Sequence, residues 1–397
     1  MEYYIWLITI CSILCACVVL ARQYISRKTP VSKEFIQFQR NFLLIFVIAN
    51  FSDWLQGPYL YIMYTSHGFT MKDISYLFIS EFMSSAIFGT FVGYLSDKYG
   101  RKKSCMLYFL LSILSCSTKR SNSYTILVFG RILGGIASSI LMTSFESWMI
   151  SAHEKMGFPS VWLNLTFKTA SMLNSLTAIT AGFVSTLLAE QYTPIAVFDS
   201  AMTLQIAGGI LVYFLWNENH GEITYILKPY CNNMLIYLGI VQCVFEAAVY
   251  IFVFSWAPIL ERQHIPDGIS FTIFMLCIMI GTQFIHKNDN VEKLLAITIV
   301  FAAVCFFILS VYPHLIVYSF FEFSYGVYYP LQGIMRAKYI PSKHRGVISN
   351  IMRIGVNFIV IFALLQITDD NMDYMYTWVG CMLFIAFIVQ CFVIKKI

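Results

Sequence analysis

Apolar residues in this chain come in long, nearly unbroken stretches rather than at alternate positions or along one helical stripe. Thirteen stretches read as helices: 3–21, 40–64, 74–96, 104–118, 124–150, 160–189, 194–216, 231–257, 268–286, 293–311, 314–336, 345–367 and 374–394. A hydrocarbon layer of about 30 Å takes roughly 20 helical residues to cross. Several stretches exceed that length and are expected to tilt or to project past the layer. The 104–118 stretch is short and is expected to borrow a turn from each neighbour. Lipid offers the backbone no hydrogen bonds, so only helices or closed barrels can span it, and continuous apolar runs favour helices. The expected fold class is an all-α membrane protein.

Composition narrows this further. Only 12% of the 397 residues are charged and 58% are apolar, whereas a soluble chain carries about 25% charged residues. Together with a mean hydropathy of +0.70, this excludes a cytosolic enzyme, a nucleic-acid binder and a disordered scaffold. The lipid bilayer is the expected partner, and nucleic acid is not. Eleven cysteines occur without any CxxC pair, mostly inside apolar stretches, and read as small hydrophobes. The first stretch is expected to be a retained helix: Glu2 stands where a signal peptide would be basic, and Arg22, Arg27 and Lys28 follow the stretch.

Charge sets the orientation. With the loop after the first stretch placed inside, the inner segments hold 19 Lys and Arg and the outer segments 4, namely Lys72, Lys119, Arg120 and Arg262. Positive residues collect on the inner side, so the amino terminus is expected outside and the carboxyl terminus in the cytoplasm. The remaining twelve stretches form two groups of six around a polar linker. The expected domains are 1–39 (extra helix and basic inner loop), 40–216, the inner linker 217–230, and 231–397. Two six-helix halves around an inner linker are a transporter plan.

One loop is specific. Gly93-Tyr-Leu-Ser-Asp97-Lys98-Tyr-Gly100-Arg101-Lys102-Lys103 fits G-x-x-x-D-[RK]-x-G-[RK]-[RK], the signature loop of the major facilitator superfamily, which the chain resembles. Gly93 is expected to let two helices approach closely. Asp97 is expected to cap a helix or pair with a cation. Gly100 suits a positive φ, and Arg101 and Lys102 hold this inner gate loop at the membrane surface. The corresponding stretch of the second half, Gly281 to Asp289, keeps a glycine and loses the rest.

Further segments sharpen the resemblance: Asp53-Trp-Leu-Gln-Gly57-Pro58-Tyr59, Gly130-Arg131-Ile-Leu-Gly134-Gly135, Ser144-Phe-Glu146-Ser-Trp148, Phe245-Glu246, Tyr329-Pro330 with Arg336, and Asn350-Ile-Met-Arg353. In this order, together with the leading extra helix, they resemble the molybdate-anion transporter family within that superfamily. The resemblance implies secondary active uptake of molybdate, a tetrahedral oxyanion, across the plasma membrane by alternating access. It implies two six-helix halves plus one extra N-terminal helix.

Ionisable residues inside spans are functional suspects because burying each charge costs about 2.5–3.5 kcal/mol. An oxyanion needs cationic or N–H donors, and the cations within spans are Arg353, Arg131 and Lys168. Arg353 and Glu246 fall near the middle of their helices. Arg131 can either contact the solute or clamp a carboxylate such as Asp53 or Glu81. Lys168 lies nearer the inner surface, where it can snorkel. Glu246, Glu322, Asp53 and Glu146 can carry coupling protons or neutralise the cations. Glu146 stands fifteen residues from Arg131, about 22 Å along the axis, too far to pair with it. No nucleotide-loop, nucleophile-elbow or metal-ligand spacing occurs, so a monomeric non-enzyme without cofactor or metal is expected. Two rivals stay open: a carrier of another solute, such as a sugar or an organic anion, and a non-transporting sensor on the same fold.

Overall fold

The computed structural model describes residues 31–221, 233–261, 265, 267–284, 290–340, 345–367 and 371–396. The expected extra helix at 3–21 and most of the 217–230 linker lie outside the described residues. The described residues form two compact units, one ending at Gly221 and one beginning at Asn233.

The first unit contains α1 (Lys33–Gln56), α2 (Leu60–Ser66), α3 (Met71–Tyr99), α4 (Arg101–Thr118), α5 (Tyr124–Lys155), α6 (Ser160–Gln191) and α7 (Pro194–Leu215). The expected single span 40–64 is instead two helices. Pro58 has no N–H to donate and its ring clashes with the preceding turn, so the helix stops at Gln56 and restarts at Leu60. α1 also begins seven residues earlier than its apolar stretch, because Ser32 caps it by accepting from Phe35 N at 3.2 Å. Thr70 and Asp73 cap each other reciprocally at the start of α3.

The second unit contains α8 (Asn233–Glu261), α9 (Asp267–Thr282), α10 (Val291–Leu309), α11 (Leu315–Tyr339), α12 (Arg345–Gln366) and α13 (Met372–Lys396). Eight of the described helices (α1, α3, α5, α6, α7, α8, α10 and α13) are long and apolar enough to cross a membrane by length and composition. The others are shorter or more polar.

Helix adjacency repeats between the units. In the first, α3 packs on α5, α4 on α5 and α7, and α1 on α6 and α7; in the second, α9 packs on α11, α10 on α11 and α13, and α8 on α12 and α13. Glycines set the same close approach in both. A Cβ on Gly135 of α5 would strike the Glu81 carbonyl of α3, and a Cβ on Gly326 of α11 would strike the Ile278 carbonyl of α9. Aromatic rings fill each core. Trp148 stacks on Trp216 at 3.8 Å in the first unit, and Phe245 stacks on Tyr328 at 3.8 Å in the second.

Candidate functional site

The signature loop is a closed hydrogen-bond network. Gly100 has φ +114° and separates α3 from α4 without a linker, a conformation side chains rarely adopt. Asp97 receives the Arg101 guanidinium at 2.8 Å, and Arg101 also donates to the Ser147 carbonyl of α5 at 3.0 Å. Glu218, just past α7, accepts from the backbone N–H groups of Lys102 (2.9 Å) and Lys103 (3.3 Å), capping α4 where its dipole is positive. Asn219 ties in twice, its carbonyl accepting from Arg101 N and its amide donating to the Trp148 carbonyl. Lys102 Nζ donates to the Tyr213 carbonyl at 2.8 Å. Gly93 departs from expectation: a Cβ there meets nothing within 4 Å, so it mediates no close helix approach among the described residues.

Deeper in the first unit, four charges converge. Arg131 is 5% exposed and forms a contact ion pair with Glu81 of α3. Its guanidinium lies 4.5 Å from the centre of the Phe78 ring, donates through Nε to the Leu77 carbonyl at 3.4 Å, and is within electrostatic reach of Tyr64. The small residues of α5 make this possible, since a Cβ on Gly134 would already lie 3.5 Å from Glu81 Oε1 and 3.3 Å from Ser115 Oγ. Lys119, read from the sequence as an outer-loop charge, is only 4% exposed. It caps α4, donates to Ser115 Oγ at 3.3 Å, and lies over the Phe198 ring. Asp53 is exposed and within electrostatic reach of both Glu81 and Lys119. Two cations and two carboxylates thus balance.

In the second unit, Glu246 of α8 is half-buried and within electrostatic reach of Arg336 of α11 and Arg353 of α12. Gln332 Nε2 donates to Gln242 Oε1 at 3.4 Å. No ion pair among the described residues engages either arginine. Glu322 of α11 is 3% exposed with no hydrogen-bond partner for Oε2 among the described residues. Tyr325 lies within electrostatic reach of both Glu322 and Glu246. At the end of α11, Lys338 donates to Glu292 at 2.5 Å and Tyr339 does so at 3.0 Å, fastening α11 to the start of α10.

Comparison with known proteins places the chain in a family. The profile of MFS_5, described as sugar transporters with 12 TM, matches residues 3–325. The chain belongs to this major facilitator family. The molybdate-anion transporter of Xenopus tropicalis is 32% identical over 364 residues, covering 85% of this chain and 80% of the relative. That of Takifugu rubripes is 29% identical over 390 residues, covering 86% and 81%. The D-xylose-proton symporter superposes with a TM-score of 0.70 at 13% identity, covering 90% of this chain and 97% of its own. The nucleoside transporter NupG gives 0.64 at 12%, covering 92% and 100%. At such identities the solved structures show the fold alone, which is the helical major facilitator fold.

Within this major facilitator chain, the sequence-predicted residues are distributed unevenly. Arg131, Lys168, Asp53, Glu146 and the gate loop belong to the first unit, and Arg353, Glu246 and Glu322 to the second. Lys168 and Glu146 are both exposed and form no ion pair among the described residues. Reasoning from sequence passed over Glu218, Lys119 and Arg336. Glu218 was visible only as a polar residue after a span. Lys119 and Arg336 lie at the ends of apolar stretches, where loop and buried helix end look the same.

Proposed function

We propose that this chain is a secondary active carrier of molybdate across the plasma membrane, working by alternating access rather than as an enzyme. The carrying observation is its likeness, over some 85% of its length, to several vertebrate proteins named molybdate-anion transporter. Site chemistry supports the reading: Arg353 and Arg336 offer guanidinium forks suited to oxyanions, and Lys168 and Arg131 are further cationic candidates. The charge split supports an outside amino terminus and a cytoplasmic carboxyl terminus, and the chain is taken to act as a monomer.

Energetics require coupling. A dianion entering a cell held at about −60 mV works against about 2.8 kcal/mol. Protons entering with it offset that, and Glu246, Glu322, Asp53 and Glu146 are the proposed carriers or charge partners. The Asp97–Arg101–Glu218 network is proposed to latch the inner side. A sugar carrier is the second reading, favoured by the family's own description.

The test is accumulation of labelled molybdate in cells with and without this chain, at two external pH values, with tungstate, sulfate and xylose as competitors. Chain-dependent accumulation that tungstate suppresses is expected. Absence of molybdate accumulation, or suppression by xylose alone, rejects the proposal.

A further inference from the structure

Among the polar groups that the second unit buries without a partner, three lie on α11 and α12, the two helices that carry Arg336 and Arg353. Tyr328 Oη, Gln332 Oε1 and Asn357 Nδ2 have no hydrogen-bond partner among the described residues, and their side chains are 1%, 1% and 5% exposed. Leaving a buried polar group unpaired is costly. Gln332 Oε1 is an acceptor, but the Tyr328 hydroxyl and the Asn357 amide are donors, one on α11 and one on α12, which both pack on α8, and they call for an explanation.

Their placement supplies one. Gln242 pairs with Gln332, and Phe245 stacks on Tyr328 with an interplanar angle of 4°, so α8 and α11 run antiparallel with Glu246 and Tyr328 at similar depth. Cys243 donates to the Met352 carbonyl at 3.3 Å, and a Cβ on Gly239 would lie 3.4 Å from the Met352 methyl. A Cβ on Gly355 would lie 2.7 Å from Cys243 Sγ, so α12 runs parallel to α8. Asn357 therefore sits near the depth of Glu246, one turn beyond Arg353 on the same face of α12. Arg336 follows Gln332 by one turn on α11 and lies within electrostatic reach of both Glu246 and Tyr328.

Resting on the molybdate reading above, we infer that Arg336, Tyr328 and Asn357 complete, with Arg353, the oxyanion-binding constellation of this unit, and that Glu246 is the resident carboxylate the oxyanion displaces. The set is chemically selective. Two guanidinium forks, one phenol O–H and one amide N–H offer donors in several directions, as four acceptor-only oxygens require. Charge also matches: with Glu246 ionised the cluster carries one net positive charge, and with Glu246 neutral it carries two, equal and opposite to a dianion.

The test uses the full-length purified chain, both in liposomes for molybdate uptake and in detergent for thermal stabilisation by molybdate. Tyr328→Phe keeps the ring stacked on Phe245 and removes only the hydroxyl. Both Tyr328→Phe and Asn357→Ala are expected to raise the molybdate KM about tenfold with kcat nearly unchanged, since each deletes one hydrogen bond to a charged group. The molybdate concentration giving half-maximal stabilisation should shift by the same factor. Arg336→Gln should abolish uptake and stabilisation, and Arg336→Lys should restore part of each. Wild-type KM and stabilisation in both Tyr328→Phe and Asn357→Ala would overturn the inference, as would a fall in kcat with no change in KM. A wild-type chain that neither carries nor is stabilised by molybdate rejects the functional proposal as well, which separates the two failures.

Discussion

Replacing Arg131 with Met asks what the Arg131–Glu81 pair contributes. The arginine side chain is 6% exposed and the glutamate side chain 24%. Removing one member of a buried ion pair costs about 3–5 kcal/mol, because the other charge is left uncompensated. Glu81 retains some access to water, and Lys119 lies within electrostatic reach, which places the loss near the lower bound. Loss of the stack over Phe78 adds about 0.5–1 kcal/mol. Arg131→Met is therefore expected to lose about 3–4 kcal/mol. Glu81→Gln strands the more deeply buried charge and should lose at least as much. Combining Arg131→Met with Glu81→Gln removes both charges and should recover enough to give a coupling energy of about 2 kcal/mol. Unfolding of the purified chain in mixed micelles, followed by tryptophan fluorescence, measures each step of the cycle. Losses that add to within about 0.5 kcal/mol would refute the argument. Uptake by the double variant then separates the two roles of Arg131. A stable but inactive protein assigns it a solute contact, and retained uptake makes it a structural clamp.

Other perturbations reach different parts of the molecule. Glu218→Ala uncovers two N–H groups at the start of α4 and is expected to cost about 1 kcal/mol, read as a lower thermal midpoint; an unchanged midpoint counts against the cap. Gly100→Ala forces a Cβ against the Glu218 carboxyl at a φ of +114° and should lower the midpoint further than Glu218→Ala does. Lys119→Met removes the cation beside Asp53 and Glu81, and adding Asp53→Asn should restore part of the lost surface expression, which flow cytometry can follow. Uptake by the wild type should rise as external pH falls, because protons enter with the dianion, and Glu246→Gln should flatten that slope. Glu246 is faced by Arg336, Arg353, Tyr325, Tyr328 and Cys243. A slope that survives Glu246→Gln moves the coupling group to Glu322 or Asp53.

The helices were legible because lipid leaves the backbone no alternative, and the signature loop was legible because Asp97, Gly100 and Arg101 stand at fixed offsets. What escaped lay at the ends of stretches. Lys119 reads as a loop charge and Arg336 as the last residue of an apolar stretch, since hydropathy cannot tell a helix end facing water from one folded into neighbouring helices. The break at Gly57-Pro58 was written in the residues yet masked by the apolar run around it. Gly93 matched its motif position without the close packing expected there. Tyr328 and Asn357 carry no pattern of their own and become notable only once burial deprives them of partners. The second half had lost the loop sequence of the first, yet the order in which its helices touch is the same.

That shared order bears on biogenesis. Every principal helix contact of the amino-terminal unit is closed by the time Gly221 has been made, and Glu218, Asn219 and Trp216 seal its last helix against α4 and α5. A nascent chain can therefore finish this half in the bilayer while the ribosome is still translating the other. Two separately encoded fragments, divided after Gly221 and co-expressed, should each insert and reach their own contact pattern without waiting for the other.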